Sequence, residues 1–154
     1  MLAPRPATAA DVPVLAALYG DAARTLGPWC YSDEQVEAWA AFATDAQAFA
    51  DYVLKARTWV HTDDTGLVLG FCGIHLQGEV HSLYVRPGHH RQGLGTRMLA
   101  HAMDHARADG VQRFAAWVTP FSRPLFLRAG FVLVRTVTAP FSGVLFERYR
   151  VELD

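Results

Sequence analysis

The sequence predicts an α/β protein: a mixed, mostly antiparallel sheet flanked by helices, with a central helix opened by glycines. Three observations predict it. The run Leu83-Tyr84-Val85-Arg86-Pro87 reads as a strand stopped by a proline, which cannot donate to a sheet ladder. After a polar loop, Gly93-Leu94-Gly95 opens a helix whose apolar residues Leu94, Met98, Leu99, Ala102, Met103 and Ala106 recur at helical spacing. The first third of the chain is otherwise helical in period, and the rest alternates short apolar runs with turn residues.

Taken in order, a short strand is expected around Leu2 to Ala7. Thr8-Ala9-Ala10-Asp11 resembles a capping box, and Val12, Leu15, Leu18, Tyr19, Ala22 and Leu26 then form one helical face that ends at Gly27-Pro28. Ser32-Asp33-Glu34-Gln35 is a cleaner capping box for a helix burying Val36 and Trp39. Thr44 is placed to cap a third helix carrying Phe49, Tyr52 and Val53. Strands follow at Thr58–Thr62, Leu67–Leu76 and Glu79–Arg86, separated by the turns Asp63-Asp64-Thr65-Gly66 and Gln77-Gly78. The glycine-opened helix runs to Asp109, with Gly110 as its stop. Arg113–Val118 is a strand, and Phe121–Ala129 a short helix with Pro124 in its first turn. Phe131–Thr138 and Val144–Val151 form a closing hairpin across Pro140-Phe141-Ser142-Gly143.

Composition bounds the function. At 154 residues, 51% hydrophobic and 19% charged, the chain 1–154 reads as one globular domain with a core of its own. A formal net charge of −1 gives no basic field for nucleic acid. Cys30 and Cys72 are too few for a disulfide framework or a zinc site. No apolar run is long enough for a bilayer and no signal peptide is evident, so a cytoplasmic protein without membrane partners is expected.

The glycine-opened helix is where chemistry is expected. Its first amides have no intrahelical partners, and with the helix dipole and Arg91 they suit a phosphorylated ligand. Gly-Lys-Ser/Thr is absent, as are a third glycine at dinucleotide spacing and the acidic residue that would hold a ribose. A nucleotide-binding oxidoreductase is therefore a distant reading. The order Leu-x-Val-x-Pro, four loop residues, Gln-Gly-Leu-Gly, helix resembles the acetyl-CoA motif of the GNAT acyltransferase superfamily, with His90 at the position usually held by Arg or Gln. Leu125-Phe126-Leu127-Arg128-Ala129-Gly130-Phe131 resembles the superfamily's Phe-Tyr-Glu-Lys-Leu-Gly-Phe segment. Tyr31-Ser32 followed by Gln35 and Trp39 is similar to small bacterial single-domain members.

The resemblance implies transfer of an acetyl group from acetyl-CoA, without a metal, to a small-molecule or protein amine through direct attack assisted by a general base. It implies that Leu83, Tyr84 and Val85 pair with the pantetheine arm, that the stretch His90, Arg91, Gln92, Gly93, Leu94, Gly95 and Thr96 cradles the pyrophosphate, and that Phe126 packs beside the cofactor. Phe126 stands where many members carry the tyrosine that protonates the leaving thiolate. That substitution motivates the alternative, a non-catalytic CoA-binding or regulatory domain. For the base, Glu79 and His81 lie two apart and are expected to share a face with Leu83 and Val85; Glu79 comes first because it matches the superfamily's glutamate. The aromatic loop at Trp29 and Tyr31 is the candidate acceptor site. A homodimer stays open as the assembly. His101 and His105, four apart, are expected on the solvated face of their helix, and Cys72 as a buried, inert thiol.

Overall fold

The computed structural model describes residues 2–90 and 93–154. Its strands and helices follow in the order β1 (Arg5–Pro6), α1 (Val12–Leu26), α2 (Asp33–Ala41), α3 (Ala46–Leu54), β2 (Arg57–Thr62), β3 (Val68–Ile74), β4 (Val80–Val85), α4 (Leu94–Ala108), β5 (Phe114–Val118), α5 (Arg123–Arg128), β6 (Val132–Phe141) and β7 (Val144–Leu153). This is the α/β architecture of the sequence, with its strands divided between two antiparallel sheets. One sheet has the order β1-β2-β3-β4, the other β5-β7-β6. Among the described residues their backbones are joined at one parallel bridge, Glu79 to Ala115, with the Ala115 N–H donating to the Gly78 carbonyl at 3.1 Å.

The junction depends on a glycine. Gly78 has φ +90°, and a Cβ there would lie 1.9 Å from the Arg113 carbonyl oxygen, so no side chain fits where β5 begins. Beyond this contact β4 and β5 separate, leaving a cleft between the sheets. Two cores fill the opposite sides of the molecule. Leu15, Leu18, Tyr19, Phe49, Val53, Val60 and Phe71 join α1 and α3 to the first sheet. Met98, Leu99, Ala102 and Met103 of α4 pack with Cys72, Val80, Phe114, Ala116, Phe126 and Val151 on the other side. Cys72 is fully buried, and desolvation pushes its thiol up to about 12, so it is inert as expected.

Several local expectations are corrected. The first strand is only Arg5–Pro6, although Ala7 N–H still donates to the Thr58 carbonyl at 2.8 Å. Asp45, not Thr44, caps α3 by accepting the Ala48 N–H at 3.0 Å. The closing hairpin turns in two residues, Ser142 (φ 50°) and Gly143 (φ 79°), so β6 extends through Phe141. His105 is exposed as expected, but His101 is half-buried, and both rings meet β2. The His101 ring lies 4.8 Å from Trp59 and 5.7 Å from His61 of β2, and His105 lies 4.4 Å from Trp59.

The correction with most bearing on chemistry lies in β4. Gly73 pairs with Ser82, but its neighbour Ile74 pairs with Val80, leaving His81 as an extra residue in a β-bulge. Val80, Leu83 and Val85 therefore pack toward α4, whereas Tyr84 packs with the α1 and α3 core. His81 goes with the second group: its ring stacks on Tyr52 of α3 at 5.5 Å. Glu79 and His81 do not share a face with Leu83 and Val85.

Candidate active site

A cavity of about 560 Å³ occupies the cleft between β4 and β5. β4 is the last strand of its sheet, and among the described residues its edge toward β5 is unpaired past the Glu79 bridge. At the mouth stands the N-terminus of α4. Gly93 is its N-cap in the left-handed region (φ 73°), and a Cβ there would meet only the Arg97 guanidinium, at 3.5 Å. Gly95 has a different role from its neighbour: a Cβ would lie 2.8 Å from the Leu125 side chain, so this glycine lets α5 pack closely. The N–H groups of Leu94, Gly95 and Thr96 fall in the first helical turn, where no intrahelical acceptor exists.

Of the residues singled out in the sequence, His81, Leu83, Tyr84, Val85, His90, Gly93, Leu94, Gly95, Thr96 and Phe126 all line this cavity. Arg91 and Gln92 lie outside the described residues. Phe126 is buried, edge-on to Phe131 at 5.1 Å, and presents hydrocarbon only. Glu79, Trp29 and Tyr31 are not in the lining. Trp29 is 81% exposed. Tyr31 packs edge-on against Trp39 at 5.7 Å and Phe146 at 5.1 Å, which puts it behind the cavity wall.

Around His81 the contacts are specific. Its Nδ1 lies 3.1 Å from Nε2 of His75, and its carbonyl accepts the Tyr52 hydroxyl at 2.8 Å. Desolvation, then the charge of His75, lowers the His81 pKa, while Glu79 acts in the opposite sense. The imidazole is accordingly neutral and able to take a proton at neutral pH. Glu79 itself accepts Arg150 Nη1 at 2.8 Å.

Other lining residues were not among the site candidates of the sequence, Trp39, Thr119 and Ser122 among them. Trp39 of α2 reaches the cleft and donates its indole N–H to the Tyr84 hydroxyl at 3.2 Å. Thr119 and Ser122 cap one another: the Thr119 N–H donates to Ser122 Oγ at 3.1 Å and the Ser122 N–H to Thr119 Oγ1 at 3.0 Å. The Thr-x-x-Ser spacing just before Pro124 was the available signal for this turn.

Comparison with known proteins places this geometry. A family model described as an acetyltransferase (GNAT) domain matches residues 30–153. Among solved structures, a GCN5-related N-acetyltransferase from Rhodopseudomonas palustris is similar at 26% identity, with a TM-score of 0.93 over 97% of this chain and 93% of that one. The PaiA N-acetyltransferase of Thermoplasma acidophilum, in complex with coenzyme A, superposes at 0.78 with 16% identity over 97% and 96%. A phosphinothricin acetyltransferase from Sinorhizobium meliloti, in complex with acetyl-CoA, superposes at 0.72 with 20% identity over 98% and 86%. Among curated proteins no match was found.

Proposed function

The chain belongs to the GNAT acetyltransferase family, and from that premise we propose that it is one cytoplasmic domain moving the acetyl group of acetyl-CoA to a primary amine, with His81 as general base. The observation that carries the reading is the cleft: a β4 edge with no strand partner beyond the Glu79 bridge among the described residues, and at its mouth a helix N-terminus capped by Gly93 in the left-handed conformation (φ 73°). These features fit the cofactor part by part. The pyrophosphate suits the amides of Leu94, Gly95 and Thr96. The pantetheine amides suit the free edge of Leu83 to Val85, where they add as a strand, and an N–H of the same edge can polarise the thioester carbonyl.

The amine nitrogen attacks the thioester carbon, the carbon–sulfur bond breaks, and the nitrogen loses a proton. An alkylammonium near pKa 10 costs roughly 4 kcal/mol to deprotonate at neutral pH, so a base in reach matters. His81 lines the cavity on the side of α1 and α3, away from α4. His81 Nδ1 and His75 Nε2 lie 3.1 Å apart; the tautomer required by this reading has His81 Nδ1–H donating, which leaves His81 Nε2 as the basic nitrogen. Glu79 serves differently in this reading: it holds Arg150, and its charge favours the imidazolium that forms. With Phe126 in the place of a phenol, the thiolate leaves without a tyrosine proton, which a thiol pKa near 8.5 tolerates.

The test is thiol release from acetyl-CoA with a panel of primary amines, followed by His81→Gln and Glu79→Gln. His81→Gln should lower kcat/KM at neutral pH by roughly 10²–10⁴-fold, with affinity for CoA intact. The wild-type pH profile should show an inflection below 6.5, the direction in which the His81 pKa is moved, and His81→Gln should lose it. Wild-type rates in His81→Gln alongside a large loss in Glu79→Gln would transfer the role to Glu79.

A further inference from the structure

The second sheet gathers positive charge beside the cleft. Register sets Trp117 of β5 opposite Arg150 of β7, and Arg150 opposite Arg135 of β6, so three strands contribute to one row. Arg148 stands two residues from Arg150 and shares its face. All three guanidinium carbons crowd one indole: 4.4 Å from the Trp117 ring centre for Arg148, 5.2 Å for Arg150 and 5.5 Å for Arg135. The opposite face of the sheet, with Ala116, Val118 and Val151, is buried in the core beneath α4. The arginine row therefore faces away from α4, toward the side on which His81 lies. Trp117 itself lines the cavity.

Only one of the three arginines is ion-paired among the described residues. Arg150 is held by Glu79 at 2.8 Å. Among the described residues, no carboxylate lies within ion-pair distance of Arg148 or Arg135. Two guanidinium groups that repel each other are thus kept together on one ring, and that ring lines the cavity. Stacking on an aromatic face satisfies the flat surface of a guanidinium and leaves its in-plane N–H fork directed outward, the geometry that reads carboxylate and phosphate oxygens.

We infer that the acceptor is a small anionic amine, whose carboxylate or phosphate is held by Arg148 and Arg135 on Trp117 while its amine is presented to His81. This rests on the acetyl-transfer reading and names the substrate class of that site. The same arginines disfavour polycationic acceptors, because a second ammonium would have to approach two unneutralised guanidinium groups.

The experiment compares matched probes. Glycine, β-alanine and 4-aminobutyrate are set against their primary amides, and phosphoethanolamine against ethanolamine, each with saturating acetyl-CoA. The anionic member of at least one pair should be favoured roughly 10- to 100-fold in kcat/KM, mainly through KM, as loss of one or two charge-assisted hydrogen bonds implies. Which pair responds distinguishes carboxylate from phosphate. The Arg135→Gln, Arg148→Gln double variant should abolish the preference while leaving the KM for acetyl-CoA unchanged. Equal or better use of the neutral partners by wild type, or a preference that survives in the folded double variant, overturns the inference. Calorimetric titration of the same anionic amines into the protein–CoA complex separates the two readings. Binding lost in the double variant, without turnover, would keep the anion site and reject acetyl transfer; no binding and no turnover would reject the site.

Discussion

Taking the protein from pH 7 to pH 5 should cost about 2 kcal/mol of folding stability through His61 alone. This histidine of β2 is 1% exposed, and neither ring nitrogen has a hydrogen-bond partner among the described residues. Burial first, then the charges of His101 and Arg97 on α4, lowers its pKa from 6.5 to about 4. The unfolded chain therefore binds a proton that the folded chain refuses between those two values. Stability is full above pH 6.5, declines as the pH falls, and reaches its whole loss of about 3 kcal/mol only below pH 4. Urea unfolding at the two pH values measures it, with His61→Gln as the comparison. His81 and His101 are also lowered and contribute in the same direction, but they do so in both proteins. The pH-dependent loss should thus be about 2 kcal/mol smaller in His61→Gln, a difference of roughly 1 M in urea midpoint. An identical pH dependence in the two proteins would show that His61 gains its proton without cost, and the argument from burial would fail.

Two glycine substitutions test the geometry of the cleft. Gly78 and Gly66 both have φ +90°, but only Gly78 faces a backbone oxygen 1.9 Å from its missing Cβ, whereas Gly66 has nothing within 4 Å. Gly66→Ala should cost about 1 kcal/mol for conformation alone, and Gly78→Ala at least about 2 kcal/mol more, because the junction of the two sheets must open; equal thermal shifts would refute this. Gly93→Val should leave a folded protein by circular dichroism but weaken CoA at least 10-fold in calorimetry, roughly the worth of one charge-assisted hydrogen bond, since a β-branched residue disfavours φ 73° at the cradle. Unchanged affinity would remove the pyrophosphate from this helix end.

What the sequence reveals here is what neighbouring residues decide, and what it hides is decided across the fold. The Ser32–Gln35 capping box, the first-turn Pro124 and the glycine start of α4 are each fixed by a few adjacent residues, and each stands where the pattern put it. The bulge at His81 is different. Nothing in Glu79-Val80-His81-Ser82 announces it, since it arises from pairing with β3, and one extra residue is enough to move a side chain to the other face. Helical spacing likewise placed His101 and His105 away from the apolar stripe of α4, but spacing contains no information that Trp59 and His61 of β2 would meet them. Arg135, Arg148 and Arg150 were unremarkable in sequence because only the order β5-β7-β6 brings them to Trp117. The hidden features bear on one another. The bulge leaves Leu83 and Val85 facing the α4 core and turns His81 toward the opposite side, where Tyr52 packs and the arginine row looks out. A single strand can then hold one substrate along its free edge and meet the other with a base on its far face. A regular strand, with His81 beside Leu83 and Val85, would have buried that base under α4.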